Sequence, residues 1–326
     1  MMMNSMKSQF NVNRGTVIDG KWHQNRYLIE KELGYGANGV VYLAKFRNQH
    51  VALKMSDNGI SVTSEVNVLK SFSKVQGSPL GPSLLDVDDW KTQGKVISFY
   101  VMEYIQGPDL LSFIKQKGDS WTAVLILQLL SDLDKLHKAG WVFGDLKPEN
   151  LIVTGPPPKI RCIDVGGTTI QGRAIKEFTE FYDRGYWGLG SRKADPTYDL
   201  FAVAMILINC AYPSRFNKDA GGLEQLKERV KQSKQLQPYE SVILHALQGK
   251  YHSALEMRQS LIENMQGSTG QQQTRMQKHT KPAQQAHATA PLKQQKKKKK
   301  GGVAETLMLI LLISCLYFFY IYGQVI

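Results

Sequence analysis

The sequence predicts an α+β chain of two lobes, a small β-rich lobe followed by a larger α-rich one, plus one C-terminal transmembrane helix. Three observations carry this reading. Short runs of Val, Tyr, Leu and Phe broken by glycine occupy residues 27–56 and 95–105, the pattern of strands. From Asp109 onward the pattern turns helical. Residues 121–137 are dense in Leu, Ile and Val, and residues 198–212 are apolar nearly all round, as in a helix buried on every side. Finally, residues 306–326 carry no charge, and a run of about 20 such residues is long enough to cross a bilayer.

Composition bounds the function classes. With 42% apolar and 21% charged residues the chain is not globally disordered. Its 3 cysteines, Cys162, Cys210 and Cys315, are too few and too scattered for a disulfide framework or a zinc cluster, and the 7 histidines are dispersed. A reducing, cytosolic setting for the globular part is the default. The net charge of +13 suggests nucleic acid or membrane until it is located. From residue 266 onward nine basic residues face one acid, which leaves only +5 (32 basic, 27 acidic) for residues 1–265. The excess charge is a tail property.

The expected organisation is a globular domain at 20–265, a basic Gln/Lys-rich juxtamembrane linker at 266–302 and a tail anchor at 303–326. The linker holds nine glutamines and no aromatics, so it buries too little apolar area to offset its ordering entropy and is expected to be disordered. As a coil of about 36 residues it reaches roughly 30–36 Å. Lys296, Lys297, Lys298, Lys299 and Lys300 stand just before the span, and basic flanks stay on the cytoplasmic side. Nothing resembling a signal peptide opens the chain. The expectation is a single-pass protein of the cell membrane with its globular domain in the cytoplasm.

The chemistry begins at Gly34-Tyr35-Gly36-Ala37-Asn38-Gly39-Val40-Val41, which fits G-x-G-x-x-G-x-V. Alone the motif is weak. β-formers rather than a helix follow Gly39, which argues against a dinucleotide fold, and no Lys-Ser/Thr follows, which excludes a Walker loop. What remains is a glycine-rich hairpin whose backbone can approach phosphates closely. Lys54 ends the apolar strand Val51-Ala52-Leu53 within reach of such phosphates. Glu65, on a helix with Val66, Leu69 and Phe72 at helical spacing, is placed to pair with it; a plain solvated carboxylate is the alternative. The sharpest pattern is Asp145-Leu146-Lys147-Pro148-Glu149-Asn150 before an apolar strand, then Asp164-Val165-Gly166 after another.

These four motifs, in this order and spacing, resemble the Hanks-type protein kinases, and the resemblance covers roughly residues 20–265. It implies a bilobal protein-kinase-like fold with ATP and Mg²⁺ as cofactors. Asp145 would orient the substrate hydroxyl and take its proton, and Lys147 would stabilise the transferring phosphoryl group. Asn150 and Asp164 would hold Mg²⁺. Gly34, Gly36, Gly39, Val41, Lys54 and Glu65 would serve the phosphates, and Glu103 and Tyr104 the hinge behind adenine. Asp109 would meet the ribose, although a helix N-cap accounts for it equally well. Asp199 would brace the catalytic loop. The form DLKPEN resembles the serine/threonine branch.

Three departures stand out. The usual His-Arg before the catalytic aspartate is Phe143-Gly144, so the arginine that docks a phosphorylated activation loop is missing. The Phe of Asp-Phe-Gly is Val165, which with Phe143 suggests a volume-conserving exchange inside one column of the core. No Ala-Pro-Glu precedes Asp199; residues 183–199 read DRGYWGLGSRKADPTYD. An inactive pseudokinase scaffold is the rival reading, but the lysine and both aspartates such proteins usually lose are present.

For Lys296–Lys300 a topology signal with lipid headgroup contact and a duplex-DNA arm are both open. The whole arrangement is similar to the short tail-anchored bacterial sporulation kinases that lack an outside sensor domain. That resemblance implies activation by DNA on the basic arm, a homodimer, and protein substrates that are DNA-associated. Autophosphorylation is expected, with Thr168, Thr169 and Thr179 as candidates.

Overall fold

Alternation along each strand decides what the first lobe buries. In the computed structural model, which describes residues 10, 12–36, 38–73, 80–92 and 94–278, the strands are β1 (Val17–Asp19), β2 (Arg26–Gly36), β3 (Gly39–Phe46), β4 (Gln49–Ser56), β5 (Leu84–Thr92) and β6 (Lys95–Glu103). They form one antiparallel sheet in the order β1-β2-β3-β4-β6-β5. Val40, Tyr42 and Ala44 on β3, Val51, Leu53 and Met55 on β4, and Ile97, Phe99 and Val101 on β6 make one core on one face. Because side chains alternate with a period of two, Val41, Ala52, Lys54, Tyr100 and Met102 turn to the other face, which lines a cleft.

β5 was not expected, because LLDVDDWKT carries three aspartates, a residue depleted in strands. The tertiary fold satisfies all three, Asp89 by accepting Trp22 Nε1 at 3.0 Å and Ser98 Oγ at 2.9 Å. Buried Asp88 accepts the backbone N–H of Trp22 at 2.9 Å and of His23 at 2.8 Å. Asp86 receives the Tyr27 hydroxyl, Asn25 Nδ2 at 2.9 Å and His23 Nδ1 at 2.6 Å. Burial alone would raise the Asp86 pKa; Tyr27, Asn25, His23 and the Val87 N–H outweigh it and hold the carboxyl below its ordinary value of 3.8. A group with a depressed folded pKa adds stability above its unfolded pKa and loses it as pH falls through the folded one. Asp86→Asn should therefore unfold at lower urea than the parent at pH 7, and the gap should shrink as pH falls below about 4. A gap of equal size across that range would exclude the linkage.

Helix α1 (Gly59–Phe72) packs on the cleft side of the sheet. Asn58 caps it, its side chain accepting from the N–H of Ile60 and Ser61, and it buries Val62, Glu65, Val66, Leu69 and Phe72 among others. The second lobe is helical: α2 (Leu110–Lys117), α3 (Ser120–Lys138), α4 (Arg184–Trp187), α5 (Pro196–Ala211), α6 (Leu223–Gln232), α7 (Glu240–Leu247) and α8 (Ala254–Lys278). Two small two-stranded antiparallel sheets complete this lobe, the hairpin of β8 (Leu151–Thr154) with β9 (Lys159–Cys162), and β7 (Trp141–Val142) paired with the distant β10 (Thr169–Ile170). α5 starts with Pro196 at its first turn, where a missing N–H is harmless. It is buried without a break from Tyr198 to Cys210, so it is the central post of this lobe.

Where an Ala-Pro-Glu triplet was missing, two acid–base pairs tie residues 183–199 together. Arg184 Nη2 lies 2.8 Å from Asp195 Oδ2, and Arg192 Nη2 lies 2.7 Å from Asp183 Oδ2. Buried Asp183 also caps α4 and accepts the Tyr198 hydroxyl at 2.9 Å. The helix α8 buries Ala254, Met257 and Leu261 at helical spacing. It continues to Lys278, into the glutamine-rich stretch that composition assigns to a linker from residue 266. The lysine run 296–300 and the anchor 303–326 lie outside the described residues. Among the described residues no helix is long and apolar enough to cross a membrane.

Candidate active site

Between the lobes lies a cleft of about 370 Å³. Nine of the residues singled out in the sequence line it: Gly34, Gly36, Gly39 and Val41 from the hairpin, Lys54 from β4, Glu103 and Tyr104 at the hinge, and Asn150 and Asp164 from the second lobe. In the hairpin, Gly36 pairs with Gly39 across the turn. Only Gly39 is demanded by the backbone: its φ is +126°, and a Cβ there would lie 2.1 Å from the Met55 carbonyl oxygen. At Gly34 and Gly36 a Cβ would stand in open space.

Lys54 and Glu65 are both buried, at 7% and 3% exposure, and their Nζ and Oε2 atoms stand 2.6 Å apart. The solvated alternative for Glu65 is thereby excluded in this structure. Glu65 also receives the Tyr100 hydroxyl at 2.6 Å and Ser61 Oγ at 3.4 Å, so the carboxylate is held from three sides. Burial first, and Glu65 second, push the Tyr100 phenol well above its usual range, which keeps it a donor. At the hinge Glu103 accepts both Arg161 Nη1 at 2.7 Å and Arg161 Nη2 at 2.9 Å, and Arg161 also donates to the Gly81 carbonyl at 2.7 Å. The Arg161 hydrogen bonds hold the Glu103 carboxyl below the usual range. This side chain therefore clamps β9 to the hinge, and the Glu103 backbone N–H donates to the Ser83 carbonyl at 2.9 Å.

Asp145 sits at the other end. Its Oδ2 receives Lys147 Nζ, and its Oδ1 receives the Thr179 hydroxyl at 3.0 Å; Lys147 also donates to Thr179 at 3.3 Å. Asn150 Nδ2 donates to the Asp145 carbonyl at 3.2 Å, which links the loop to the cleft. Below it Asp199, fully buried in the first turn of α5, accepts the N–H of Phe143 at 2.7 Å and of Gly144 at 2.9 Å, and faces His137 Nε2 at 2.9 Å. One carboxylate on the central helix thus fixes the two peptide groups that precede Asp145.

The departure at Phe143-Gly144 has a steric cause. Gly144 has φ +86°, and a Cβ there would lie 2.7 Å from the Gly167 carbonyl oxygen. The backbone just before Asp145 and the turn after Asp164 run in contact, leaving no room for an arginine at this position. Phe143 and Val165 are both buried in one core cluster, as the volume exchange requires. Gly144→Ala should lower unfolding stability by about 1–3 kcal/mol, because a non-glycine residue at positive φ is strained. Gly144→Arg should be at least as costly. Denaturant titration measures both, and an arginine variant as stable as the parent would contradict the contact.

Two residues differ from expectation. Asp109 does not line the cleft; it caps α2, accepting the Ser112 N–H at 3.0 Å and the Ser112 hydroxyl at 2.6 Å, so of its two readings the cap is the one observed. Glu177 lines the cleft although nothing in its local sequence sets it apart from a solvated carboxylate. Its oxygen accepts Asn38 Nδ2 from the hairpin. Burial, then Asp164, push its pKa up, against Lys54. Of the threonines, Thr168 and Thr169 are buried at 0% and 1%, while Thr179 is partly open.

Comparison with known proteins agrees with this geometry. The protein kinase domain family matches residues 27–283. The chain is 57% identical over 251 residues to the serine/threonine-protein kinase YabT of Bacillus subtilis, covering 76% of this chain and 74% of that one. A probable serine/threonine-protein kinase of Clostridium acetobutylicum is 33% identical over 146 residues, covering 43% of this chain and 21% of the other. A putative cyclin-dependent kinase of Oryza sativa is 27% identical over 200 residues, covering 56% and 61%. The chain belongs to the protein kinase family, as a bacterial Hanks-type serine/threonine kinase.

Proposed function

We propose that this kinase transfers the ATP γ-phosphoryl group to serine or threonine hydroxyls of proteins, itself included, while tethered to the membrane by residues 303–326. The observation that carries the site reading is Asp145, held by Lys147 and Thr179, at the end of a cleft lined by Lys54, which Glu65 fixes from behind. In this reading Asp145 accepts the substrate hydroxyl proton as the oxygen attacks phosphorus, and Thr179 keeps the carboxylate turned to it. Lys147 neutralises charge on the transferring group. Lys54, fixed by Glu65, binds the phosphates under the glycine hairpin. The backbone at Glu103 and Tyr104 holds adenine.

The donor set also fits Mg²⁺. The Asn150 amide and Asp164 carboxylate both line the cleft, and oxygen donors of this kind suit a hard cation. When bound, the cation would supply positive charge to the phosphate oxygens. Asp164 Oδ1 already accepts the Gly166 N–H at 3.0 Å, which fixes the carboxylate's direction without any ligand.

For the tail we propose that Lys296–Lys300 contact anionic surfaces, lipid headgroups and duplex DNA alike, and that DNA raises activity in a homodimer acting on DNA-associated proteins. Support comes from the charge of the run, while its lack of aromatics argues against single-stranded stacking; a role in sporulation follows from the resemblance to tail-anchored sporulation kinases. The test is phosphate incorporation from labelled ATP by the full chain in vesicles, with and without duplex DNA and at several salt concentrations. Stimulation that fades with salt and with Lys296–Lys300→Gln supports the arm. Activity indifferent to DNA returns the lysines to topology and lipid.

A further inference from the structure

The four residues Lys176–Thr179 touch three separate elements around the phosphate end of the cleft. Lys176 Nζ donates to Ser64 Oγ of α1 at 3.1 Å. Glu177 accepts Asn38 at the hairpin tip, and Thr179 donates to Asp145. The segment therefore crosses from the first lobe to the catalytic loop.

The charges there do not balance. Glu65 faces Lys54 and Asp145 faces Lys147, each in a direct ion pair. Glu177 and Asp164 are the two cleft carboxylates with no lysine or arginine in ion-pair contact among the described residues. They flank one point: a Cβ on Gly166 would lie 3.3 Å from Asp164 Oδ1 and 3.4 Å from both Glu177 oxygens. A triphosphate bound under the hairpin brings further negative charge to the same place. Like charges within a few ångströms in a partly desolvated cleft repel by kilocalories rather than tenths.

We propose that Lys176–Thr179 is a strap over the phosphate end of the cleft, and that the Asn38–Glu177 contact is its latch. The latched strap holds the glycine hairpin down through a carboxylate that nucleotide phosphates must displace. ATP binding and strap release are then one event. Adenosine, which has no phosphates, binds without disturbing the latch. The proposal rests on the reading of this cleft as a nucleotide site.

The test is calorimetric titration of the full chain with adenosine and with a non-hydrolysable ATP analogue plus Mg²⁺. Glu177→Gln should tighten the analogue about tenfold or more, by removing one like charge, and leave adenosine unmoved. Asn38→Ala, which opens the latch but keeps the charge, should tighten the analogue less. The double variant should match Glu177→Gln rather than the sum, because both changes act on one contact. Glu180→Gln, an exposed carboxylate three residues on, controls for net charge and should change neither affinity. If Glu177→Gln weakens the analogue, the carboxylate helps to hold the cation and the latch is wrong. Equal shifts for adenosine and the analogue would also overturn it, as the effect would not lie at the phosphates. A parent protein that binds neither ligand would sink the nucleotide-site reading, and the latch with it.

Discussion

Asp145→Asn should lower phosphoryl transfer by about 10²–10⁴-fold, the usual contribution of a positioned general base, with nucleotide affinity and unfolding midpoint unchanged. The substitution is a clean one here. Asparagine keeps one acceptor for Lys147, and its amide can donate to Thr179 where the carboxylate accepted. The loop geometry survives while the proton acceptor is lost. The measurement is kcat under saturating ATP and protein substrate, beside a thermal melt. A variant within tenfold of the parent would show that Asp145 does not take the proton.

Asp199→Ala should have the largest effect on stability. Its carboxylate is fully buried and accepts two backbone N–H groups, from Phe143 and Gly144, besides facing His137. Alanine leaves both amides without partners in the core, and an orphaned buried donor costs about 1–3 kcal/mol. Asp199→Asn is the sharper probe of geometry. It retains one acceptor but turns an NH₂ toward one of the donors, so at least one amide loses its bond. Urea unfolding should show the loss, and kcat measured where each variant is fully folded should fall as well, because Asp145 follows directly on the two released peptides. A destabilised variant with unchanged kcat would make Asp199 a stability residue only.

Parts of this site were written locally and could be read without coordinates. The hairpin glycines, Lys54, the run from Asp145 to Asn150 and Asp164 each sit in a short motif whose chemistry depends on neighbours one to five residues away, and the glycines, Lys54, Asn150 and Asp164 line one cleft. Lys54–Glu65 was legible because helical spacing put Glu65 on the buried side of α1. Asp109 shows the limit: an aspartate before a helix satisfies a cap and a ligand role equally in sequence, and only the Ser112 contacts separate them. β5 was missed for a related reason. Its aspartates oppose a strand locally and are tolerated because donors from Trp22 to Tyr27, some 60 residues earlier, converge on them.

By itself, then, the sequence determined the order of lobes, the family and the residues that face phosphate chemistry, since each of these rests on short-range spacing and side-chain alternation. The tertiary structure alone decided three things. Gly144 is glycine because the Gly167 backbone passes 2.7 Å from where its Cβ would be. Residues 183–199 hold together through Arg184–Asp195 and Arg192–Asp183 in place of a familiar triplet. Glu177 enters the cleft because the segment carrying it is fastened at Ser64, Asn38 and Asp145 by contacts that span between 34 and 139 positions. Contacts over such distances depend on how the whole chain closes, and no local pattern records that.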